Sequence, residues 1–176
     1  MPNLNVIDLF AGVGGLSLGA ARAGFNVAAA IEIDKYAYAA HCLNFPKTTH
    51  IQADIGTMTA KELIALSGLE KSNIHGIIGG PPCQGFSTIG KRNTDDPRNN
   101  LFSKFFFLVN KIKPAFYLAE NVPGILASRN DKLRTDALAQ ISKSYIQLQP
   151  IVVKASDYGS PTIRTRVFLP GTEAKL

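Results

Sequence analysis

The chain has 176 residues, 45% of them apolar, and a formal net charge of +6 at pH 7. This length predicts one domain with a substantial core, and no stretch approaches the roughly 18 to 20 uncharged apolar residues of a membrane span. The chain starts without a signal-peptide pattern, its two cysteines suggest no disulfide framework, and its three histidines lack metal-ligand spacing, so we predict a cytoplasmic protein with no metal site.

Apolar runs and helical patterns alternate along most of the chain. The predicted strands cover residues 6–10, 27–33, 49–53, 74–78 and 115–119, and the predicted helices cover residues 16–23, 35–44, 60–66, 101–112 and 132–143. Near the end, residues 145–155 and 166–169 are predicted strands joined by a turn, which indicates an antiparallel hairpin. Seven strands with one late antiparallel hairpin predict an α/β fold with a Rossmann-like three-layer sheet.

The net positive charge of the chain comes from its second half. Residues 1–80 carry five Lys or Arg and six Asp or Glu, whereas residues 81–176 carry fourteen and seven. This asymmetry suggests that only the second half faces a polyanion, although some of these lysines are ordinary solvated residues.

A glycine-rich turn follows the first predicted strand. Gly12, Gly14 and Gly15 lie where this strand becomes a helix, so the backbone can approach a ligand closely. Ser17 replaces the third glycine of the dinucleotide-binding pattern, and the turn alone is compatible with several nucleotide-like ligands, NAD among them.

Two carboxylates follow the next two predicted strands. Glu32 lies where a carboxylate would accept hydrogen bonds from ribose hydroxyls, and Asp54 lies where one would read an adenine amino group. Either residue could instead be a helix N-cap. Together with the turn they favour an adenosine-containing ligand. A basic pyrophosphate clamp is absent near the turn and Asp8 stands beside it, so we expect cationic S-adenosylmethionine rather than NAD.

One cysteine lies in a conformationally restricted turn after the fourth predicted strand. Residues 79–87 read Gly-Gly-Pro-Pro-Cys-Gln-Gly-Phe-Ser, which places Cys83 at the carboxyl end of the strand, where open α/β sheets bind ligands. This position suits a nucleophile, and a buried structural thiol is the alternative. Glu120 follows the fifth strand at the same sheet edge, and Arg164 and Arg166 alternate so that both project to one face of a strand. Read singly, these three residues could be a helix cap and surface charges.

These motifs together resemble the DNA (cytosine-5) methyltransferases. The matching segments run in family order across nearly the whole chain: residues 8–19, Glu32, Asp54, residues 80–87, residues 120–122 and residues 164–166. The resemblance implies that Cys83 adds to carbon 6 of cytosine, which lets carbon 5 attack the methyl group of S-adenosylmethionine. It also implies that protonated Glu120 donates to ring N3, and that Arg166, supported by Arg164, holds O2 and lowers the pKa of the thiol.

The resemblance also assigns binding residues. The implied cofactor-binding residues are Phe10, Ala11, Gly12, Val13, Gly14, Gly15, Glu32, Ile33, Asp54, Ile55, Pro82 and Leu101. The implied DNA-binding residues belong to a loop that closes over a base flipped out of double-stranded DNA, and they are Gln84, Ser87, Lys91, Arg92 and Arg98. Residues 96–102 are similar to the end of the mobile catalytic loop of the family.

The chain departs from the family pattern in two places. Thr162 stands where the family usually has Gln, two residues before the paired arginines. We expect residues 1–176 to be one catalytic domain, with a cofactor half (1–80) and a DNA-facing half (81–176). The target recognition domain and the C-terminal returning segment are expected to be absent.

Several functions remain open from the sequence. We expect a restriction-modification DNA methyltransferase that needs a second polypeptide for target recognition. The alternative is a truncated, non-catalytic protein that binds S-adenosylmethionine or a partner. An RNA substrate is a variant of the first hypothesis, and NAD-dependent oxidoreduction is a distant third.

Overall fold

The computed structural model describes residues 4–82 and 99–174. Its strands are β1 (Asn5–Leu9), β2 (Asn26–Glu32), β3 (Thr49–Gln52), β4 (Gly76–Gly79), β5 (Phe116–Asn121), β6 (Tyr145–Gln147), β7 (Ile151–Lys154) and β8 (Thr165–Glu173). Its helices are α1 (Gly15–Arg22), α2 (Lys35–Asn44), α3 (Ala60–Ser67), α4 (Asn99–Ile112) and α5 (Asp131–Leu138). Among the described residues, no helix is both long and apolar enough to cross a membrane.

The described strands form one mixed sheet. Its order is β3-β2-β1-β4-β5-β8-β6, and β7 also pairs with β8. Strands β1 to β5 are parallel, whereas β8 runs antiparallel to β5, β6 and β7. The predicted fold class, with its late antiparallel hairpin, is confirmed. The parallel strands place the carboxyl ends of β1, β2, β4 and β5 at one edge, which is where the site lies.

The segment predicted as one strand over residues 145–155 is two short strands. Both β6 and β7 pair along the same side of β8, and the register shifts by one residue between them. Leu148 still donates its backbone N–H to Pro170, but Pro150 has no N–H to give to a ladder. The sheet therefore has eight strands rather than seven. The last predicted strand, residues 166–169, extends over Thr165–Glu173.

Helix α5 ends five residues before its predicted end. The backbone N–H of Ser142 bonds to the side-chain oxygen of Asn110 on α4 (3.1 Å), and Ser142 in turn accepts from the backbone of Tyr145. These bonds lead the chain out of the helix and into β6. The end of α5 is therefore set by a contact with Asn110 on another helix, and the local sequence pattern carries no information about that contact.

The larger hydrophobic core lies between the sheet and helices α3 to α5. Phe102, Phe105 and Phe106 of α4 are fully buried and pack ring edge against ring face, with Phe106 also against Tyr117 of β5. Burying each such side chain contributes roughly 1.5 to 3 kcal/mol. On the opposite face, the described residues form a smaller cluster around Val6, and α1 partly covers it. The two faces of the sheet are thus unequally covered.

Candidate active site

The glycine-rich turn between β1 and α1 contains three residues with positive φ. These are Phe10 (φ 61°), Gly12 (φ 55°) and Gly14 (φ 101°). A Cβ atom on Gly14 would lie 2.2 Å from Cε2 of Phe45, so only glycine fits between α1 and α2 there. The backbone N–H of Gly12 donates to Oε2 of Glu32 (2.8 Å), which ties the turn to the end of β2. The turn is therefore held from two sides.

A cavity of about 400 Å³ opens at the carboxyl ends of β1, β2, β3 and β4. It is lined by Phe10, Ile31, Glu32, Ile33, Ala53, Asp54, Ile55, Gly80, Pro82 and Leu101. Seven of these residues are among the twelve cofactor-binding residues that the resemblance implies. Ile31 and Ala53 belong to no motif and are only sequence neighbours of predicted positions, whereas Gly80 lies in the cysteine motif but is not among the implied cofactor-binding residues.

The two carboxylates of this cavity are held by backbone N–H groups. Besides the bond from Gly12, Glu32 accepts from the backbone of Asp34 through Oε1 (2.8 Å), and Oδ1 of Asp54 accepts from Gly56 (2.7 Å). Neither carboxylate caps a helix, because Asp34 caps α2 and Thr59 caps α3. The N-cap alternative for Glu32 and Asp54 is therefore wrong. Both side chains are oriented as fixed acceptors beside an apolar wall.

A second cavity, of about 490 Å³, adjoins the first through Phe10 and Gly80, which line both. Its lining comprises Phe10, Ala11, Gly12, Val13, Gly15, Leu16, Gly80, Glu120, Val153, Ala155, Arg164, Arg166 and Phe168. The predicted turn residues are thus divided: Gly14 lines neither cavity and instead packs on α2. Three lining residues belong to no sequence motif, and only the fold places them at this cavity: Val153, Ala155 and Phe168.

A carboxylate and two guanidinium groups meet in the second cavity. Glu120 pairs with Phe168 across the β5–β8 ladder, which makes Arg166 its diagonal neighbour on the same face. Arg166 Nε lies 2.8 Å from Glu120 Oε1, and Arg164 Nη2 lies 3.9 Å from the same oxygen. The side chains of Glu120 and Arg166 are 22% and 23% exposed, and that of Arg164 is 57% exposed. The close pair is therefore Glu120–Arg166, with Arg164 as a more solvated second cation.

Gly80 brings the backbone of the cysteine-containing segment close to this pair. A Cβ atom on Gly80 would lie 3.0 Å from Glu120 Oε2, so a larger residue would displace the carboxylate. The next residue, Pro81, accepts a hydrogen bond from Nδ2 of buried Asn121 (3.3 Å). Glu120 is thus a β5 strand residue next to the chain that leads to position 83, and it is not a helix cap.

Several predicted site residues lie outside the described residues. They are Cys83, Gln84, Ser87, Lys91, Arg92 and Arg98. The described chain reaches Pro82 at the lip of the first cavity and resumes with α4, whose Leu101 lines the same cavity. Thr162 is exposed and lines neither cavity. No group of three or more potential metal ligands occurs within residues 4–82 and 99–174.

Asp8 does not face either cavity, so the expectation that it stands beside the ligand is wrong. It is fully buried and accepts a hydrogen bond from Ser17 of α1 (2.6 Å). Burial raises the pKa of Asp8, the Ser17 hydrogen bonds lower it and the charge of Glu32 raises it, and together they bring the pKa to about 7. The carboxylate lies beneath the turn and gives no argument for a cationic ligand.

Comparison with known proteins identifies this arrangement. The model of the C-5 cytosine-specific DNA methylase family matches residues 4–176. Type II methyltransferase M.XorII of Xanthomonas oryzae pv. oryzae is 40% identical over 172 residues, covering 97% of this chain and 41% of the relative. M.AquIA of Picosynechococcus sp. is 36% identical over 175 residues, covering 94% of this chain and 71% of the relative.

Solved structures agree with the sequence relatives. A crystal structure assigned as a DNA modification methyltransferase encoded within an E. coli prophage superposes with a TM-score of 0.87 at 51% identity, covering 98% of this chain and 47% of the other. Spodoptera frugiperda DNMT2 superposes with a TM-score of 0.74 at 27% identity, covering 98% and 50%. The chain thus spans less than half the length of the first sequence relatives it matches. The resemblance predicted from the motifs is confirmed, and the chain belongs to the C-5 cytosine-specific DNA methylase family.

Proposed function

We propose that this chain is the catalytic portion of a DNA cytosine-5 methyltransferase that acts through a covalent Cys83 adduct. The observation that carries the proposal is the position of the Glu120–Arg166 pair, in a cavity that adjoins a second cavity lined by Glu32 and Asp54. An adenosine-binding region and a charged pair for a heterocycle therefore lie side by side. A transfer between a nucleoside-type cofactor and a base requires that adjacency.

The first cavity fits the nucleoside part of S-adenosylmethionine. Fixed acceptors at Glu32 and Asp54 suit ribose hydroxyls and the adenine amino group, and Ile33, Ile55 and Leu101 supply apolar contact for the ring. Four of the remaining predicted turn residues line the second cavity and would hold the methionine part: Ala11, Gly12, Val13 and Gly15. The bound cofactor supplies an activated methyl group on a sulfonium.

The second cavity would receive the flipped cytosine. In our proposal the Cys83 thiolate adds to carbon 6, the electron pair of the 5,6 double bond then attacks the methyl group from carbon 5, and a C–S bond of the sulfonium breaks. A base removes the carbon 5 proton and the thiolate leaves, which restores the aromatic ring. Water can serve as this base. In this proposal the positive charge of Arg166 favours the thiolate form of Cys83.

In our proposal Glu120 and Arg166 contact different atoms of the base. Arg166 Nε contacts Glu120 Oε1, and in our proposal the entering base replaces part of this ion pair. We propose that Arg166 then turns toward O2 and that Glu120 takes up a proton and donates it in a hydrogen bond to N3. Each donor would neutralise charge that develops on the ring during the addition. Arg164 would keep the cavity cationic from its rim.

Double-stranded DNA is the proposed partner of the basic half. Gln84, Ser87, Lys91, Arg92 and Arg98 are proposed to contact the DNA around the flipped base, and the net charge of residues 81–176 supports binding to a polyanion. Residues 1–80 then form mainly the cofactor half and residues 81–176 mainly the DNA-facing half, although Pro82 and Leu101 also line the cofactor cavity. The relatives suggest a role in restriction-modification in a prokaryotic cytoplasm.

We further propose that a complementing segment covers α1 and α2, in the same or a second polypeptide, and that it carries the target-recognition function. The outer face of α1 has one charged residue, Arg22, whereas Leu18 on α1 and Leu43 on α2 are 46% and 84% exposed. A groove of about 300 Å³ lies between the carboxyl ends of these helices. A helix face that faces only water normally carries more charge. The relatives, whose length this chain only partly spans, have further sequence that could form such a cover.

Covalent trapping tests the proposed chemistry. Duplex DNA carrying 5-fluorocytosine is mixed with S-adenosylmethionine and the chain, because fluorine cannot leave carbon 5 as a proton does. We expect a denaturant-resistant adduct with wild type, none with Cys83→Ser, and an unchanged yield with Cys42→Ser, since Cys42 is a half-buried thiol on α2.

The same assay with the polypeptide encoded next to this chain in the genome tests complementation, which Leu43→Glu should weaken. No adduct under either condition would favour the non-catalytic alternative, and an adduct only with a tRNA containing 5-fluorocytosine would change the substrate.

A further inference from the structure

A chain of four polar side chains runs beneath the glycine-rich turn and takes no part in the proposed chemistry. Ser17 Oγ lies 2.6 Å from Asp8 Oδ2 and 3.1 Å from His41 Nε2, and His41 Nδ1 lies 2.9 Å from His50 Nε2. The four residues come from β1, α1, α2 and β3. Asp8, Ser17 and His41 are buried, whereas His50 is half-buried. The chain therefore links four elements of the cofactor half to one buried carboxylate.

The donors and acceptors of this chain can be assigned from chemistry. Ser17 donates its hydroxyl proton to Oδ2 of Asp8, which can accept it whether the carboxyl group is ionised or carries its own proton on Oδ1. The Ser17 oxygen then accepts from Nε2–H of His41, which leaves Nδ1 of His41 to accept from Nε2–H of His50. Burial, together with the charge of His50, lowers the pKa of His41, which favours the neutral ring that this assignment requires. Every hydrogen bond thus points toward Asp8.

The same residues touch the turn. Asp8 precedes it in the chain, and Ser17 is in the first turn of α1. On the other side, a Cβ atom on Gly14 would meet the rings of Phe45 (2.2 Å) and His41 (3.2 Å), so the turn rests directly on the imidazole that bonds to Ser17. Moving either His41 or Ser17 would move the backbone of Gly12 and Gly15, which lines the second cavity.

We propose that Ser17 and His41 are positioning residues for cofactor binding, which hold the glycine-rich turn in place through Asp8 and are themselves held by His50. This inference rests on the proposed cofactor, S-adenosylmethionine. Neither Ser17 nor His41 lines a cavity, so each acts through the backbone of the turn. Oδ1 of Asp8 has no hydrogen-bond partner among the described residues. Ser17 is therefore the only described side chain that donates to this carboxyl group, and its loss leaves Asp8 with only the backbone hydrogen bond from Ser17.

Binding of S-adenosylhomocysteine, measured by calorimetry on the full chain, tests the inference. Ser17→Ala should weaken binding about tenfold, since the side-chain hydrogen bond to the buried Asp8 carboxyl group is lost and the turn is released. Ser67→Ala is the matched control: it also removes a buried serine hydroxyl on a helix, bonded to the Ile64 carbonyl, but it lies on α3 away from the cavities. We expect Ser67→Ala to bind S-adenosylhomocysteine like wild type, even where its melting temperature is as low as that of Ser17→Ala.

Two further variants keep the test decisive where Ser17→Ala fails to fold. His50→Leu removes the outermost donor and should weaken binding a few-fold, and His50→Gln, which keeps an N–H donor, should restore it. The ¹⁵N shifts of His41 provide a signature, because loss of its Nδ1 acceptor role in His50→Leu must change its tautomer balance.

Wild-type affinity in both Ser17→Ala and His50→Leu would overturn this inference and leave the proposed function intact. Failure of the wild-type chain to bind S-adenosylhomocysteine would overturn the proposed cofactor and the inference with it.

Discussion

Replacing Asp8 by asparagine removes a buried ionisable group, and the effect on stability should depend on pH. Burial raises the pKa of Asp8 from 3.8 to about 7, so between these values the folded chain binds a proton that the unfolded chain has released. The free energy of unfolding of the wild type therefore falls as the pH rises through this window. From pH 5 to pH 7 the free energy of unfolding falls by about 2 kcal/mol. Each pH unit contributes about 1.36 kcal/mol, and the total is smaller than twice that value because Asp8 is partly ionised near pH 7.

Urea unfolding at pH 5 and pH 7 measures this dependence. The asparagine side chain does not titrate, so the free energy of unfolding of Asp8→Asn relative to wild type should rise by about 2 kcal/mol from pH 5 to pH 7. A constant penalty for burying the amide cancels in that difference. The buried, neutral His41 contributes an opposite trend, which is present in both proteins. Asp136→Asn, at an exposed position on α5, is the control and should show no such change. Parallel stability–pH curves for wild type and Asp8→Asn would refute the reasoning.

Three other substitutions test the turn, the charged pair and the core. Gly14→Ala places a Cβ atom against an aromatic ring at a φ of 101°, so it should cost about 3 kcal/mol in urea unfolding and abolish S-adenosylhomocysteine binding in calorimetry. Arg166→Ala should lower the rate of methyl transfer to DNA about a hundredfold, with cofactor affinity unchanged. Arg164→Ala should lower this rate less, because the Arg164 guanidinium is farther from Glu120 and more exposed than that of Arg166. Phe106→Ala should cost about 3 to 5 kcal/mol in urea unfolding, since its ring is fully buried among three other rings.

Each of these substitutions has a result that would contradict it. Cofactor binding by Gly14→Ala at wild-type affinity would mean that the turn tolerates movement. Equal rates of methyl transfer to DNA for Arg164→Ala and Arg166→Ala, measured with tritiated S-adenosylmethionine, would mean that the short ion pair has no special role. A loss below 1 kcal/mol for Phe106→Ala would mean that the space is refilled by its neighbours.

The sequence by itself determined the alternating elements of the cofactor half and most of that cavity. Glycines with positive φ, together with Glu32 and Asp54, follow successive parallel strands, and parallel strands bring their carboxyl ends to one sheet edge. The positions of these residues in the sequence therefore imply their proximity. The same logic placed Glu120 at the end of β5. The motifs also identified the family, which the comparisons confirm.

Only the tertiary structure decided which side chains meet. Arg166 reaches Glu120 because β8 runs antiparallel to β5 in one particular register, and register depends on contacts between residues far apart in the chain. Asp8 was expected at the ligand, but its side chain points to Ser17 instead. The break at Pro150 divides one predicted strand into two. Local patterns specify the element and the edge of the sheet, whereas the direction and partner of a side chain depend on how distant elements pack.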